Sequence, residues 1–104
     1  MRIGLVGAGA IGGVLAARLT RAGGAVHALA RGTTLEAWRS GLTLVDDTGE
    51  TTVEVAAVAD DAAALGPCDV VLFTVKGQDS AAAADAMGPM VGPHTRVVSF
   101  QNGL

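Results

Sequence analysis

A doubly wound α/β sheet, mostly parallel, is the fold this sequence predicts, and three observations predict it. Strand-like apolar runs alternate with segments of helical period along the whole chain. Those runs are apolar throughout rather than alternately polar, as in a parallel sheet covered on both faces. The first strand-to-helix junction reads Gly7-Ala8-Gly9-Ala10-Ile11-Gly12, a G-x-G-x-x-G.

Taken in order, Ile3–Val6 is the first strand. Ile11, Val14, Leu15, Leu19 and Ala22 then recur at helical spacing, with Arg18 and Arg21 on the other side, and Gly23-Gly24 supplies the stop. Ala25–Leu29 is the second strand. Thr33 followed three residues later by Glu36 is a capping box, predicting a short helix that carries Leu35 and Trp38. Leu42–Val45 and Thr52–Ala56 are β-rich and joined across residues 46–50 as a hairpin. Asp60–Leu65 is a brief helix with its acidic pair at the positive end of the dipole. Residues 69–75 are the clearest buried strand, 79–87 an alanine-rich helix, and 95–100 the last strand after Gly88-Pro89 and Gly92-Pro93.

Composition bounds the rest. Half of the 104 residues are hydrophobic and the mean hydropathy is +0.46, which two buried sheet faces account for. One domain spanning residues 1–104 is expected. No run is a membrane span, and Arg2 followed by the apolar stretch 3–17 resembles a secretory signal that its glycines and the continuing α/β pattern argue against. With a net charge of −3 and seven scattered basic residues, neither a nucleic-acid nor a membrane surface is expected. The single cysteine, Cys68, excludes an intramolecular disulfide and suits a cytoplasmic location; it reads as a small structural residue rather than a nucleophile. His27 and His94 read as structural or solvated. Asp46, Asp47 and Glu50 read as a polar hairpin tip rather than a metal site, Asp69 as a cap or solvated strand start, and no metal is expected.

Each glycine of the junction has a physical task in a dinucleotide-binding, Rossmann-type unit. Gly7 permits the tight turn, Gly9 lets backbone N–H groups approach a pyrophosphate, and Gly12 lets the helix pack on the strand. The helix start then presents unpaired N–H groups to the phosphates. The second strand ends Leu29-Ala30-Arg31-Gly32. An NAD-preferring site would place a carboxylate there for the ribose 2′-hydroxyl; this chain offers the guanidinium fork of Arg31, suited to a 2′-phosphate, so NADP is the expected cofactor. The buried strand leads to Lys76 and the last one to Gln101-Asn102-Gly103.

These motifs, in this order over essentially the whole chain, closely resemble the N-terminal part of the ketopantoate reductase (2-dehydropantoate 2-reductase) family: the glycine loop, Ala30-Arg31-Gly32 with Leu35-Glu36 and Gly41-Leu42, Val75-Lys76, and Gln101-Asn102-Gly103-Leu104. The resemblance implies an NADPH-dependent oxidoreductase that reduces the keto acid ketopantoate to pantoate on the way to pantothenate and coenzyme A. It implies that Gly7, Ala8, Gly9, Ala10, Ile11 and Gly12 bind the pyrophosphate and Arg31 the 2′-phosphate. Lys76 would contact cofactor near the substrate, and Asn102 would touch nicotinamide ribose and substrate. Members of the family are much longer and carry a second, helical domain that supplies the proton-donating lysine. A chain stopping at Leu104 is therefore expected to be truncated before that domain, to hold no catalytic residue of its own, to be inactive alone, and to self-associate or dimerise through an uncovered face. Two other readings stay open: the cofactor domain of another keto- or hydroxy-acid dehydrogenase, which a carboxylate near position 30 or a different residue at Asn102 would favour, and a non-catalytic nucleotide-sensing module.

Overall fold

The structure is a computed structural model that describes residues 1–7, 10–47, 49–75 and 80–100, with the backbone alone at positions 10, 44, 46 and 80. Strand β1 (Arg2–Val6) runs through the glycine junction into helix α1 (Ala10–Arg21) and on to β2 (Ala25–Leu29). Helix α2 (Gly32–Arg39) leads to a hairpin, β3 (Leu42–Asp46) and β4 (Gly49–Val53), and then to β5 (Ala57–Ala59). Helix α3 (Ala62–Leu65), β6 (Cys68–Phe73), α4 (Ser80–Ala86), a 3-10 turn (Gly88–Met90) and β7 (Val91–Ser99) complete the described chain.

Five strands form one sheet in the order β5-β2-β1-β6-β7, every pairing in it parallel, while β3 and β4 stand apart as an antiparallel pair. The chain winds outward from β1 through β2 to β5, then returns to the other side of β1 for β6 and β7. That reversal places the topological switch between β1 and β6, where open α/β sheets bind ligands beyond the strand C-termini. Successive side chains of a strand point to opposite faces. Leu5, Val26 and Ala28 accordingly pack with Ala16 of α1 and Trp38 of α2 on one face. Val6, Leu29, Val71 and Phe73 pack with Leu65 of α3 and with Met90 on the other. Both faces are covered, so the absence of polar alternation has its physical explanation.

Four local expectations are corrected. The capping box does not form: α2 is capped by Arg31 in extended conformation (φ −134°, ψ 156°) without a side-chain cap bond. Gly32, at φ +57°, swings the chain out of β2 early enough that Leu35 N–H already bonds to the Arg31 carbonyl at 3.3 Å. Thr33 thus lies inside the helix, and Glu36 accepts from Arg39 at 3.2 Å instead. The hairpin is tighter than expected, because Gly49 at φ +118° reverses the chain at once and Asp46 pairs with Gly49. The second hairpin strand therefore ends at Val53, and residues 57–59 become a parallel strand beside β2 that the periodicity did not suggest. Asp69 does not cap its own strand; its Oδ2 accepts the backbone N–H of Arg2 at 2.7 Å, tying β6 to the start of β1. The last strand begins earlier than residue 95, at Val91, and a bulge opposite residues 68–70 absorbs Gly92-Pro93. Asp61, by contrast, stands at the start of α3 as expected of the acidic pair, and there it also caps the helix, its Oδ1 accepting from Ala63 N–H at 3.0 Å.

His27 lies in the middle of β2, half-buried, with Nδ1 buried and unbonded among the described residues. Burial, and secondarily the charge of Arg2, lower its pKa below the ordinary 6.5. The unfolded chain then binds the proton more readily than the fold, so stability should be fully present above about pH 6.5 and fall as the pH drops below it. Urea denaturation of the wild type and of His27→Val from pH 7.5 to 5 checks this: the variant should lose part of the acid-side slope, and identical slopes would remove His27 as its source.

Candidate functional site

Beyond the C-terminal ends of β1 and β2 lies a cleft of about 350 Å³. Its floor is Val6, Gly7, Leu29 and Ala30, one rim is Arg31 with Thr34 of α2, and the opposite wall is Val75 with Ala82, Ala83 and Ala86 of α4. Strand order alone puts these residues together, because β1, β2 and β6 are neighbours and all three point their C-termini the same way. The wall of α4 consists of alanines, which leave room that longer side chains would fill.

The turn from β1 into α1 is built by close backbone approach. Gly7 sits at φ +102°, and a Cβ there would lie 2.8 Å from the Thr74 carbonyl carbon and from Val75 N. At Gly12, inside α1, a Cβ would lie 2.2 Å from the Gly7 carbonyl oxygen, far inside any tolerated contact. Thr74 closes the junction from the other side. Its N–H donates to the Val6 carbonyl at 2.8 Å, and its hydroxyl is shared between the Gly7 carbonyl and the Val6 carbonyl. Two of the three motif glycines are therefore required sterically, as a phosphate-binding turn demands.

The remaining sequence-predicted residues divide. Ala10 opens α1 and Ile11 stands on it 61% exposed, away from the core. Arg31 is exposed at the cleft rim, and its guanidinium has no carboxylate partner among the described residues. No carboxylate is among the described residues that line the cleft; Glu36, the acidic residue of α2, faces Arg39. Ala8, Gly9, Lys76 and Asn102 lie outside the described residues. Cys68 is buried, its thiol directed at the Gly66 carbonyl at 3.6 Å; burial pushes its pKa up, Arg2 draws it down and Asp69 adds to the rise. Burial with a raised pKa is the environment of an inert, structural thiol. Among the described residues no three His, Cys, Asp or Glu side chains gather into a cation site, and no helix is long and apolar enough to cross a membrane.

Sequence reasoning passed over Thr74, Thr34 and the α4 wall. The sequence signal for Thr74 is a hydroxyl placed where an apolar strand meets the switch point, two residues before Lys76.

A parallel sheet of this order, with a glycine turn at the end of β1 and a cleft beside it, defines the class: a dinucleotide-binding α/β domain. Within that class the chain belongs to the ketopantoate reductase PanE/ApbA family, whose profile matches residues 3–104. It is 43% identical over 106 residues to the 2-dehydropantoate 2-reductase of Mesorhizobium japonicum, covering 100% of this chain and 32% of that protein. The PanE/ApbA family ketopantoate reductase of Ralstonia eutropha JMP134 superposes with a TM-score of 0.90 at 36% identity, over 99% of this chain and 35% of that one. The 2-dehydropantoate 2-reductase of Geobacter metallireducens GS-15 does so with a TM-score of 0.88 at 33% identity, over 100% and 35%. The chain thus spans about a third of the length of the curated relatives it matches. Fold and family together imply a nicotinamide dinucleotide as cofactor.

The glycines of α1 differ in a testable way. Gly12→Ala should destabilise the protein by at least about 1–3 kcal/mol, since backbone rather than a mobile side chain must yield. Gly13→Ala, whose Cβ would meet Trp38 Cζ2 at an ordinary 3.9 Å, should stabilise it by about 0.4–1 kcal/mol. Urea denaturation of both variants decides; equal effects would contradict the packing described.

Proposed function

We propose that this chain is the cofactor-binding part of a 2-dehydropantoate 2-reductase, which reduces ketopantoate to pantoate with NADPH in the route to pantothenate and coenzyme A. The observation that carries the reading is the sterically required Gly7 and Gly12 beside a cleft whose rim holds Arg31, with no carboxylate among the described lining residues. A dinucleotide fits these residues. Gly7 and the start of α1 suit the pyrophosphate, and the apolar floor with the alanine wall suits the adenosine. Arg31 answers a 2′-phosphate with two parallel N–H donors, and nothing acidic among the described lining residues repels that charge. Lys76 and Asn102 are assigned between nicotinamide and substrate on the family resemblance. Bound NADPH supplies the hydride; the chain's own part is to hold and orient it.

Reduction of a carbonyl also needs a proton donor and exclusion of water. The described cleft lining contains no Asp, Glu, His, Cys, Lys or Tyr, and we assign proton donation to the part of the enzyme that relatives possess beyond this third of their length. β7 is consistent with a face that something further covers: Val97 and Val98, on opposite sides of the strand, are 46% and 42% exposed. In isolation that edge should draw copies of the chain together.

Arg31→Ala should weaken NADPH about ten- to a hundredfold and leave NADH nearly unchanged, the worth of one charged hydrogen-bond pair. Titration with both cofactors reads this directly, and a preference for NADPH that survives the substitution would remove Arg31 from the role. The 104-residue chain by itself should bind NADPH, scatter light as more than a monomer, and show no ketopantoate-dependent NADPH oxidation. Turnover above background would refute the assignment of proton donation elsewhere, and a strict monomer would refute the exposed edge.

A further inference from the structure

Gly7 combines two properties that conflict. Its conformation, φ +102°, belongs to glycine because glycine is permissive, and a permissive residue at a turn is also the one most free to leave it. The cleft nevertheless uses that residue as part of its floor. What holds it is a clamp on its carbonyl: Gly12 approaches so closely from α1 that no Cβ could intervene, and the hydroxyl of Thr74 donates to the same oxygen from beyond the end of β6. The Thr74 N–H bonds the Val6 carbonyl one step earlier, at 2.8 Å, so a single residue grips both sides of the strand-to-loop junction.

We propose that Thr74 is a positioning residue for the dinucleotide: its hydroxyl pins the Gly7 carbonyl and so holds Gly7 in place at the cleft floor before the ligand arrives. The inference rests on the dinucleotide reading above. Without the hydroxyl the ligand itself must fix Gly7, and affinity falls by that cost. Because the pyrophosphate is common to both cofactors, the loss is equal for NADPH and NADH. That separates Thr74 from Arg31, whose removal acts on NADPH alone.

The test is titration of the purified protein with each cofactor, followed through Trp38 fluorescence well below the unfolding temperature, for the wild type, Thr74→Val and Thr74→Ser. Thr74→Val, which keeps the shape and removes the donor, should raise both dissociation constants by the same factor, about three- to tenfold, while Thr74→Ser stays within about twofold of wild type. Unchanged dissociation constants in a folded Thr74→Val of lowered melting temperature would show a merely structural bond and overturn the inference, leaving the dinucleotide reading intact. Should Thr74→Val fail to fold by circular dichroism, Thr74→Ala read against Thr74→Ser takes its place with the same two outcomes. A wild type that binds neither cofactor would overturn the dinucleotide reading, and the inference with it.

Discussion

How closely α1 can approach the end of β1 governs everything on the ligand side of the sheet. The approach is set by a backbone contact, Gly12 against the carbonyl of Gly7, in which a single methyl group would intrude to 2.2 Å. The same helix turns Ala16 and Ala17 to the sheet, both almost fully buried, so the small side chains continue the close packing one turn further on. A helix held this near the strand end starts almost where the strand stops. The first N–H groups of a helix have no partner within it, so a helix that starts close to a strand end offers them where an anion can use them.

From that contact the rest of the architecture follows with little freedom. A right-handed return from α1 puts β2 beside β1, and the later crossover puts β6 on the far side, so the end of β1 is flanked by two strand ends and no third layer blocks it. The hairpin fills a different need. Leu42 and Val55 at its base pack against the cluster of Leu5, Val26 and Trp38, covering apolar surface that α1 and α2 alone leave open. Among the described residues that line it, the cleft has the cation Arg31 and no carboxylate, although the chain as a whole carries a net charge of −3.

What was legible in the sequence was what local backbone chemistry dictates. G-x-G-x-x-G at a strand-to-helix junction has few structural solutions, and the turn at Gly7 with the contact at Gly12 is one of them. Ala25–Leu29 is bounded by glycines and arginine and came out with the limits expected. The failures share a different cause, which is tertiary competition. Thr33 and Glu36 have the spacing of a capping box, yet Gly32 had already turned the chain and the helix started without them. Residues 57–59 are too few and too rich in alanine to announce a strand; they form one because β2 offers an open edge at that point. Thr74 looked like one more residue of an apolar strand, and its role exists only because β6 pairs with β1 in the register that brings Phe73 opposite Val6.

The two halves of the proposed reductase site differ in kind. In that proposal phosphate recognition rests on main-chain N–H groups, a helix end and one guanidinium, all of which follow from a strand, a turn and a helix in sequence. Hydride transfer to a carbonyl relies instead on side chains that converge from separate elements at a distance of a few ångströms, with water excluded. Arg31 stands exposed at the rim, without a carboxylate partner among the described residues, and the alanines of α4 face it across open space. An unpaired cation is costly only where it is buried, so the rim can stay charged at little cost until an anion arrives. The site is thus preorganised where the backbone can organise it, at Gly7, Gly12 and Thr74, and left open where a ligand must enter.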